Sequence, residues 1–241
     1  PNTNTILIME LENIIYPGFN KTLSELKAIS KVKKKSCEIV DLTEIEWVRD
    51  VLRHRVEEIG SYDIKFRKPT EEEIESVSKI VGADIDMDEL KNNFHKNKRI
   101  IGITSGKGGV GKSTITSLLG IAFDELGKKV GIMDSDIWGY SVPKILGAKF
   151  PPIPFNERIF PSRINNLNVI SMDYFVKQDE AVIWRGPMLH KAIEQFLFEV
   201  LWHDIDILLI DMPPGTGDVS ISLSQFLKYF ENIVVTTPQT N

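Results

Sequence analysis

The sequence predicts an α/β fold, a mostly parallel sheet flanked by helices, preceded by a small α+β domain. Two observations predict it. From Arg99 onward, short and unbroken apolar runs alternate with helix-length stretches, the pattern of parallel strands covered on both faces. Before that point, short alternating strands are mixed with amphipathic helices, and the 241 residues, 42% hydrophobic and 26% charged, suit one core plus a small appendage.

The first 97 residues read as the small domain and its linker, and residues 98–241 as the sheet domain. Tyr16-Pro17-Gly18 is a turn after an apolar, helix-like segment, and Cys37 to Val40 alternates as a strand. Thr43 is placed to cap a helix whose apolar stripe is Ile45, Val48, Leu52, Val56 and Ile59. Tyr62 to Phe66 reads as a further strand, Thr70 to Glu73 has capping-box spacing, and the polar stretch Lys91 to Lys98 reads as a linker. In the second domain the strands are Ile100 to Ser105, Val130 to Asp134, Val169 to Met172, Ile207 to Asp211 and Ile233 to Thr237. The proline-rich Gly147 to Pro161 lacks periodicity and reads as a long surface loop.

Composition narrows the partners. A formal charge of -5 gives no electrostatic reason to expect nucleic acid or an anionic membrane. The lone Cys37 forms no internal disulfide, which points to a reducing, cytoplasmic compartment. The apolar run Ile6 to Met9 is broken by Glu10 and Glu12, too early for a signal peptide. His54, His95, His190 and His203 have no paired ligand spacing, which argues against a protein-only zinc site. Lys33 to Lys35, without interleaved aromatics, reads as a solvated hairpin end.

The chemistry concentrates in Gly106-Lys107-Gly108-Gly109-Val110-Gly111-Lys112-Ser113-Thr114, a G-x-x-x-x-G-K-[ST] loop between a strand and a helix, and hence the mark of a P-loop NTPase. Its glycines let backbone N–H groups turn inward around phosphates while the following helix points its positive end at the same oxygens. Lys112 supplies a point charge to the β and γ phosphates, and Ser113 sets a hydroxyl on Mg²⁺. Asp134 and Asp136 sit where the second strand ends, the end at which open α/β sheets bind ligands; one carboxylate there holds Mg²⁺-bound water and another orients the attacking water. Asp211 closes an apolar strand as a Walker B acid, and Gly215 is placed to offer its N–H to a γ-phosphate.

With Lys107 beside the first glycine, the loop resembles the deviant Walker A of the MinD, ParA, nitrogenase iron protein and Mrp/ApbC group, in which this lysine reaches the partner subunit's phosphates. Asp134 to Pro143, Trp184-Arg185-Gly186-Pro187-Met188, Asp211 to Asp218 and Thr236-Thr237-Pro238-Gln239 narrow the resemblance to the Mrp/ApbC iron–sulfur cluster carrier ATPases, over roughly residues 99–241. The region around Tyr16 to Lys21 is similar to the iron–sulfur assembly domain often fused ahead of them. The resemblance implies ATP and Mg²⁺, slow partner- or dimer-dependent hydrolysis, a homodimer, an iron–sulfur cluster as cargo and apo iron–sulfur proteins as acceptors. Two departures bear on it. Tyr140 replaces a common proline, and the sequence ends at Asn241 before the family's cluster-binding Cys-x-x-Cys, so the cluster ligands are expected outside these residues. Cys37, in a strand, is no substitute. A positioning ATPase of the MinD or ParA sort, acting on membrane or DNA, is the alternative, and a non-catalytic nucleotide-dependent module a third reading.

A cluster bridged across a two-fold axis takes two thiolates per subunit, and these residues supply one. The 241-residue protein is therefore expected to bind nucleotide but retain no stoichiometric cluster after anaerobic reconstitution, measured as iron and labile sulfide per dimer. A stable cluster lost in Cys37→Ser would overturn that expectation.

Overall fold

The computed structural model describes residues 3–33, 36–96, 98–137, 139, 141–175, 186–202, 205–215 and 217–238. In chain order the elements are α1 (Thr3–Glu12), β1 (Ile15–Tyr16), β2 (Lys21–Thr22), β3 (Ile29–Lys33), β4 (Ser36–Val40), α2 (Glu46–Ile59), β5 (Asp63–Arg67), α3 (Glu71–Val81), α4 (Met87–Asn93), β6 (Arg99–Ser105), α5 (Lys112–Glu125), β7 (Val130–Asp134), α6 (Val142–Leu146), β8 (Ile153–Phe155), β9 (Arg158–Phe160), β10 (Ser162–Ile164), β11 (Leu167–Ser171), α7 (Gly186–Phe198), β12 (Ile207–Asp211), α8 (Asp218–Phe226) and β13 (Glu231–Val235). They form two compact units, Pro1–Ile85 with Ile153–Phe160, and Asp86–Pro152 with Pro161–Asn241.

The first unit is built on a three-stranded sheet, β3-β4-β5, with β4 and β5 parallel and joined by α2. The stripe of α2 buries Val48, Leu52 and Val56. Its N-cap is Ile45 and not Thr43; Glu44 has φ +56°, so the chain turns once more before the helix starts, and Thr43 Oγ1 instead accepts from Ile45 N at 3.3 Å. Thr70 does cap α3, with the reciprocal Glu73 bond of a capping box. Cys37 is buried in β4, and burial pushes its thiol up to about 11, so it is a poor thiolate. Tyr16 is buried as well; its hydroxyl accepts from Leu42 N at 2.9 Å and holds the loop that carries Asp41, which pairs with Arg49 at 2.6 Å.

The loop reading of Gly147 to Pro161 is corrected by the hairpin β8–β9 within it, whose Ile153, Phe155 and Phe160 are buried. Prolines conceal this hairpin from a periodicity reading, because only three residues on each strand pair. Phe155 and Phe160 lie 5.1 and 4.4 Å from Phe19 between ring centroids, and buried Arg158 donates to the carbonyls of Ala83 and Ile85, the first at 3.4 Å and the second at 2.5 Å. The linker reading of Lys91 to Lys98 is likewise corrected in part: its first residues complete α4, capped by Asp86, and Lys91 pairs with Glu194 at 2.6 Å.

The second unit carries a six-stranded sheet ordered β10-β11-β7-β12-β6-β13, parallel except for the edge pair β10–β11. Every residue of β7 and β12 is buried, as strands covered on both faces require. Ile101, Ile103, Ile132, Val169 and Leu209 share the core with Leu119 and Phe123 of α5. The strand ends shift slightly from the sequence reading: β11 ends at Ser171 and β13 at Val235. The parallel strands β6, β7 and β12 all end at one edge, which sets the P-loop, Asp134 and Asp211 side by side. No helix among the described residues is long and apolar enough to cross a membrane.

At Gly18 a positive φ of +82° coincides with Ile153 Cδ1 lying 2.3 Å from where a Cβ would stand. Gly18→Ala is expected to destabilise this first unit by about 2–4 kcal/mol, backbone strain adding to overpacking. Urea unfolding followed by a probe in that unit measures it.

Candidate functional site

The P-loop leaves β6 at Ser105 and enters α5 at Lys112. Gly109 and Gly111 have φ of +77° and +89°, and open space surrounds the position of each missing Cβ, so conformation and not crowding demands glycine here. Gly111 caps α5 without a side-chain bond, which leaves the first N–H groups of a 14-residue helix to face the cleft. That cleft, about 680 Å³, is lined by Ser105, Gly108, Gly109, Gly111, Lys112, Ser113, Thr114, Asp136, Ile137, Gly139, Ser141, Leu189, Pro213, Pro214, Gly217, Asp218 and Val219. Gly106 and Lys107 are exposed on the loop, and Val110 is half-buried.

Asp211 organises the floor. Its carboxylate is fully buried and accepts from Lys112 Nζ at 2.8 Å, Ser113 Oγ at 2.5 Å and Thr116 Oγ1 at 2.9 Å. Its carbonyl oxygen takes two bonds from Ser135, one from the N–H at 3.0 Å and one from Oγ at 2.8 Å. Lys112 also stands 3.6 Å from Asp136, whose Oδ1 accepts from Gly139 N. One buried ammonium thus serves two carboxylates, beside a hydroxyl and a helix N-terminus. Such a constellation of positive charge, N–H groups and carboxylate oxygens suits a phosphate chain accompanied by a hard divalent cation.

Two residues given roles from the sequence are engaged within the fold. Asp134 was expected to act on water at the strand end; it is fully buried and does not line the cleft. Its oxygens accept from Asp136 N, Val142 N and Ser171 Oγ, so it fixes the start of the loop and α6. Burial, and secondarily Asp211, raises its pKa to about 7. Gly215 was expected to offer its N–H to a phosphate; it has φ +85° and donates to Ser105 O at 2.9 Å. Sequence reasoning missed Thr116 and Ser171, which donate to the carboxylates of Asp211 and Asp134, and Ser135, which holds the Asp211 carbonyl. Thr116 was findable, since it lies one turn beyond Lys112 on the face toward β12. Trp138, Tyr140, Trp184, Arg185, Thr216 and Gln239 lie outside the described residues. His190 bonds Ser222 at 3.1 Å and stacks on Phe226, and no group of three or more His, Cys, Asp or Glu able to hold a metal occurs among the described residues.

Comparison with known proteins bears on this geometry. Residues 96–241 match the family model for ParA, described as the NUBPL iron-transfer P-loop NTPases. The chain belongs to this family. Among similar proteins, an iron–sulfur cluster carrier protein of Aquifex aeolicus is 34% identical over 252 residues, covering 98% of this chain and 69% of that relative. A carrier protein of Mycobacterium leprae is 48% identical over 141 residues, covering 58% of this chain and 37% of that relative, so the chain spans little more than a third of its length in the match. A nucleotide-binding protein from Archaeoglobus fulgidus, solved in complex with ADP, is 33% identical with a TM-score of 0.52, over 64% of this chain and 60% of that one. Membership in this family of P-loop NTPases accords with the loop, cleft and strand order.

The raised pKa of Asp134 fixes the sign of one pH effect. A carboxyl whose folded pKa lies above its unfolded value binds more protons when folded, so its contribution is complete at low pH and is lost as pH rises toward the folded pKa. In nucleotide- and metal-free protein, stability should fall by about 2–4 kcal/mol between pH 4 and 7 on account of Asp134. Denaturant titration across that range checks it, and in Asp134→Asn this part of the slope should vanish whatever the offset in stability.

Proposed function

We propose that this chain binds ATP with Mg²⁺ in the P-loop cleft and hydrolyses it slowly as a homodimer. The protein it represents would carry iron–sulfur clusters to apo-proteins. The observation that carries the reading is the buried Asp211, joined to both Lys112 and Ser113 at the mouth of α5. Adenine is favoured by the ADP bound to the similar Archaeoglobus fulgidus protein. The cargo and its acceptors are favoured by the iron-transfer family and by the carrier relatives.

In this reading the N–H groups of Gly106 to Thr114 cradle the phosphates, and Lys112 turns from Asp211 to the β and γ oxygens. Ser113, Asp136 and Asp211 offer an all-oxygen donor set, which fits Mg²⁺ better than a soft metal. The ion, when bound, neutralises charge on the phosphates and orients them. Asp136, on the cleft wall, orients the attacking water. Lys107, exposed at the loop surface, reaches the phosphates of the second subunit and meets charge as it develops there. Asp134 takes no part in the chemistry and holds the Asp136 loop in place.

Two substitutions separate binding from turnover. Lys112→Ala is expected to abolish binding of a fluorescent ATP analogue, because the phosphates lose their nearest cation. Lys107→Ala should leave that affinity within about threefold while kcat falls about 100-fold or more, the size seen when a transition-state contact is removed. If affinity collapses and turnover per bound nucleotide persists, Lys107 belongs to the cradle of its own subunit. Transfer of a reconstituted cluster to an apo-ferredoxin by a protein extended through a downstream Cys-x-x-Cys tests the carrier assignment itself.

A further inference from the structure

A second recess, about 350 Å³, opens at the other end of the sheet, where β6 and β13 begin. It lies a full strand length, about 20 Å, from the P-loop. Its lining is His95, Lys98, Arg99, Ile100, Tyr229, Phe230 and Glu231. Two features set it apart from an ordinary surface groove.

The first is a cation with no counter-charge among the described residues. Lys98 is half-buried, its ammonium rests 4.5 Å from the centre of the Phe94 ring, and it makes no ion pair with any described residue. Burial lowers its pKa to about 8. The neighbouring carboxylate is already spent, since Glu231 takes both of its oxygens to Arg99 at 2.6 Å each. Lys228 adds a further positive charge beside His95, and with Lys98 it depresses the His95 pKa, after burial. Among the described residues the recess is therefore positive on balance, and the ammonium within it has given up water without a described carboxylate to pair with.

The second is a flat wall. His95 and Tyr229 stack with ring centres 5.2 Å apart and planes 28° from parallel. Lys228 N donates to His95 Nε2 at 3.4 Å, which fixes the ring. Tyr229 keeps 71% of its surface exposed, an aromatic face open beside the half-buried ammonium. A ring offers offset stacking on such a wall, and an acidic group on that ring forms an ion pair with Lys98 that no described residue supplies.

We propose that this recess binds a small aromatic or heteroaromatic ring bearing a phosphate or carboxylate, with the acid group on Lys98 and the ring against Tyr229. The volume admits a molecule of that size and no folded partner. The site is independent of the nucleotide reading, because it shares no residue with the P-loop cleft.

Pyridoxal 5′-phosphate is a suitable probe of the Lys98 amine, since its aldehyde reacts with a free lysine and a competing ring-bearing anion seated on Lys98 is read as loss of that reaction. The Lys98 amine adds to the aldehyde carbon, water leaves, and borohydride reduces the imine to a stable secondary amine that peptide mass mapping assigns to one lysine. This distinguishes Lys98 from Lys112. Lys98 is expected to label about tenfold faster than exposed lysines, as a larger free-amine fraction permits. Phenyl phosphate should slow that labelling severalfold, and Tyr229→Ala should remove the protection by phenyl phosphate. Protection by inorganic phosphate as strong as that by phenyl phosphate would show an anion site without ring recognition and overturn the proposal. So would labelling of Lys98 at the rate of exposed lysines, or no protection by either anion. Circular dichroism and ATP-analogue binding, both expected unchanged in Tyr229→Ala, confirm that the variant is folded when its labelling is read.

Discussion

A carboxylate with no exposed surface has to be matched by donors or give up its charge, and Asp211 meets that demand with Lys112, Ser113 and Thr116 at once. Those three residues come from the first turns of one helix. The bond that settles Asp211 therefore also fixes how α5 leaves the P-loop, and so where its unpaired N–H groups point. Through its carbonyl oxygen the same residue binds Ser135 and anchors the start of the loop carrying Asp136. Loop, helix and second carboxylate are all referred to one strand end.

Asp134 shows what happens without a cation. It pairs in register with Asp211 on the neighbouring strand and is equally buried, yet its contacts are N–H groups and a serine hydroxyl. Hydrogen bonds lower its pKa less than burial raises it, so it ends near neutrality. Two aspartates at equivalent strand ends therefore differ in kind. One is held by an ammonium and two hydroxyls on the cleft floor, and the other braces the loop between them.

The middle of the sheet was legible because β7 and β12 are buried on both faces and read as continuous apolar runs such as Ile207 to Ile210. The P-loop was legible because a glycine pattern between strand and helix has few other uses. What escaped had weaker local signals. The start of α2 depended on a left-handed Glu44, a conformation that residue type does not announce. The role of Asp134 depended on Ser171, thirty-seven residues away, which only the parallel pairing of β11 with β7 brings near. The hairpin at residues 153–160 is held by aromatic contacts to Phe19, far back in the sequence.

That hairpin has a consequence for how the protein is made. The unit that begins at the amino terminus includes Ile153–Phe160, although its other residues end at Ile85. A ribosome adding about 5–20 residues per second takes several seconds to cover the intervening stretch. During that interval Phe19 and Gly18 lack the ring and aliphatic partners that later cover them, and Ala83 and Ile85 lack Arg158. Completion of the unit that holds Phe19 therefore waits until the P-loop, α5 and β7 have been synthesised, although none of them belongs to it.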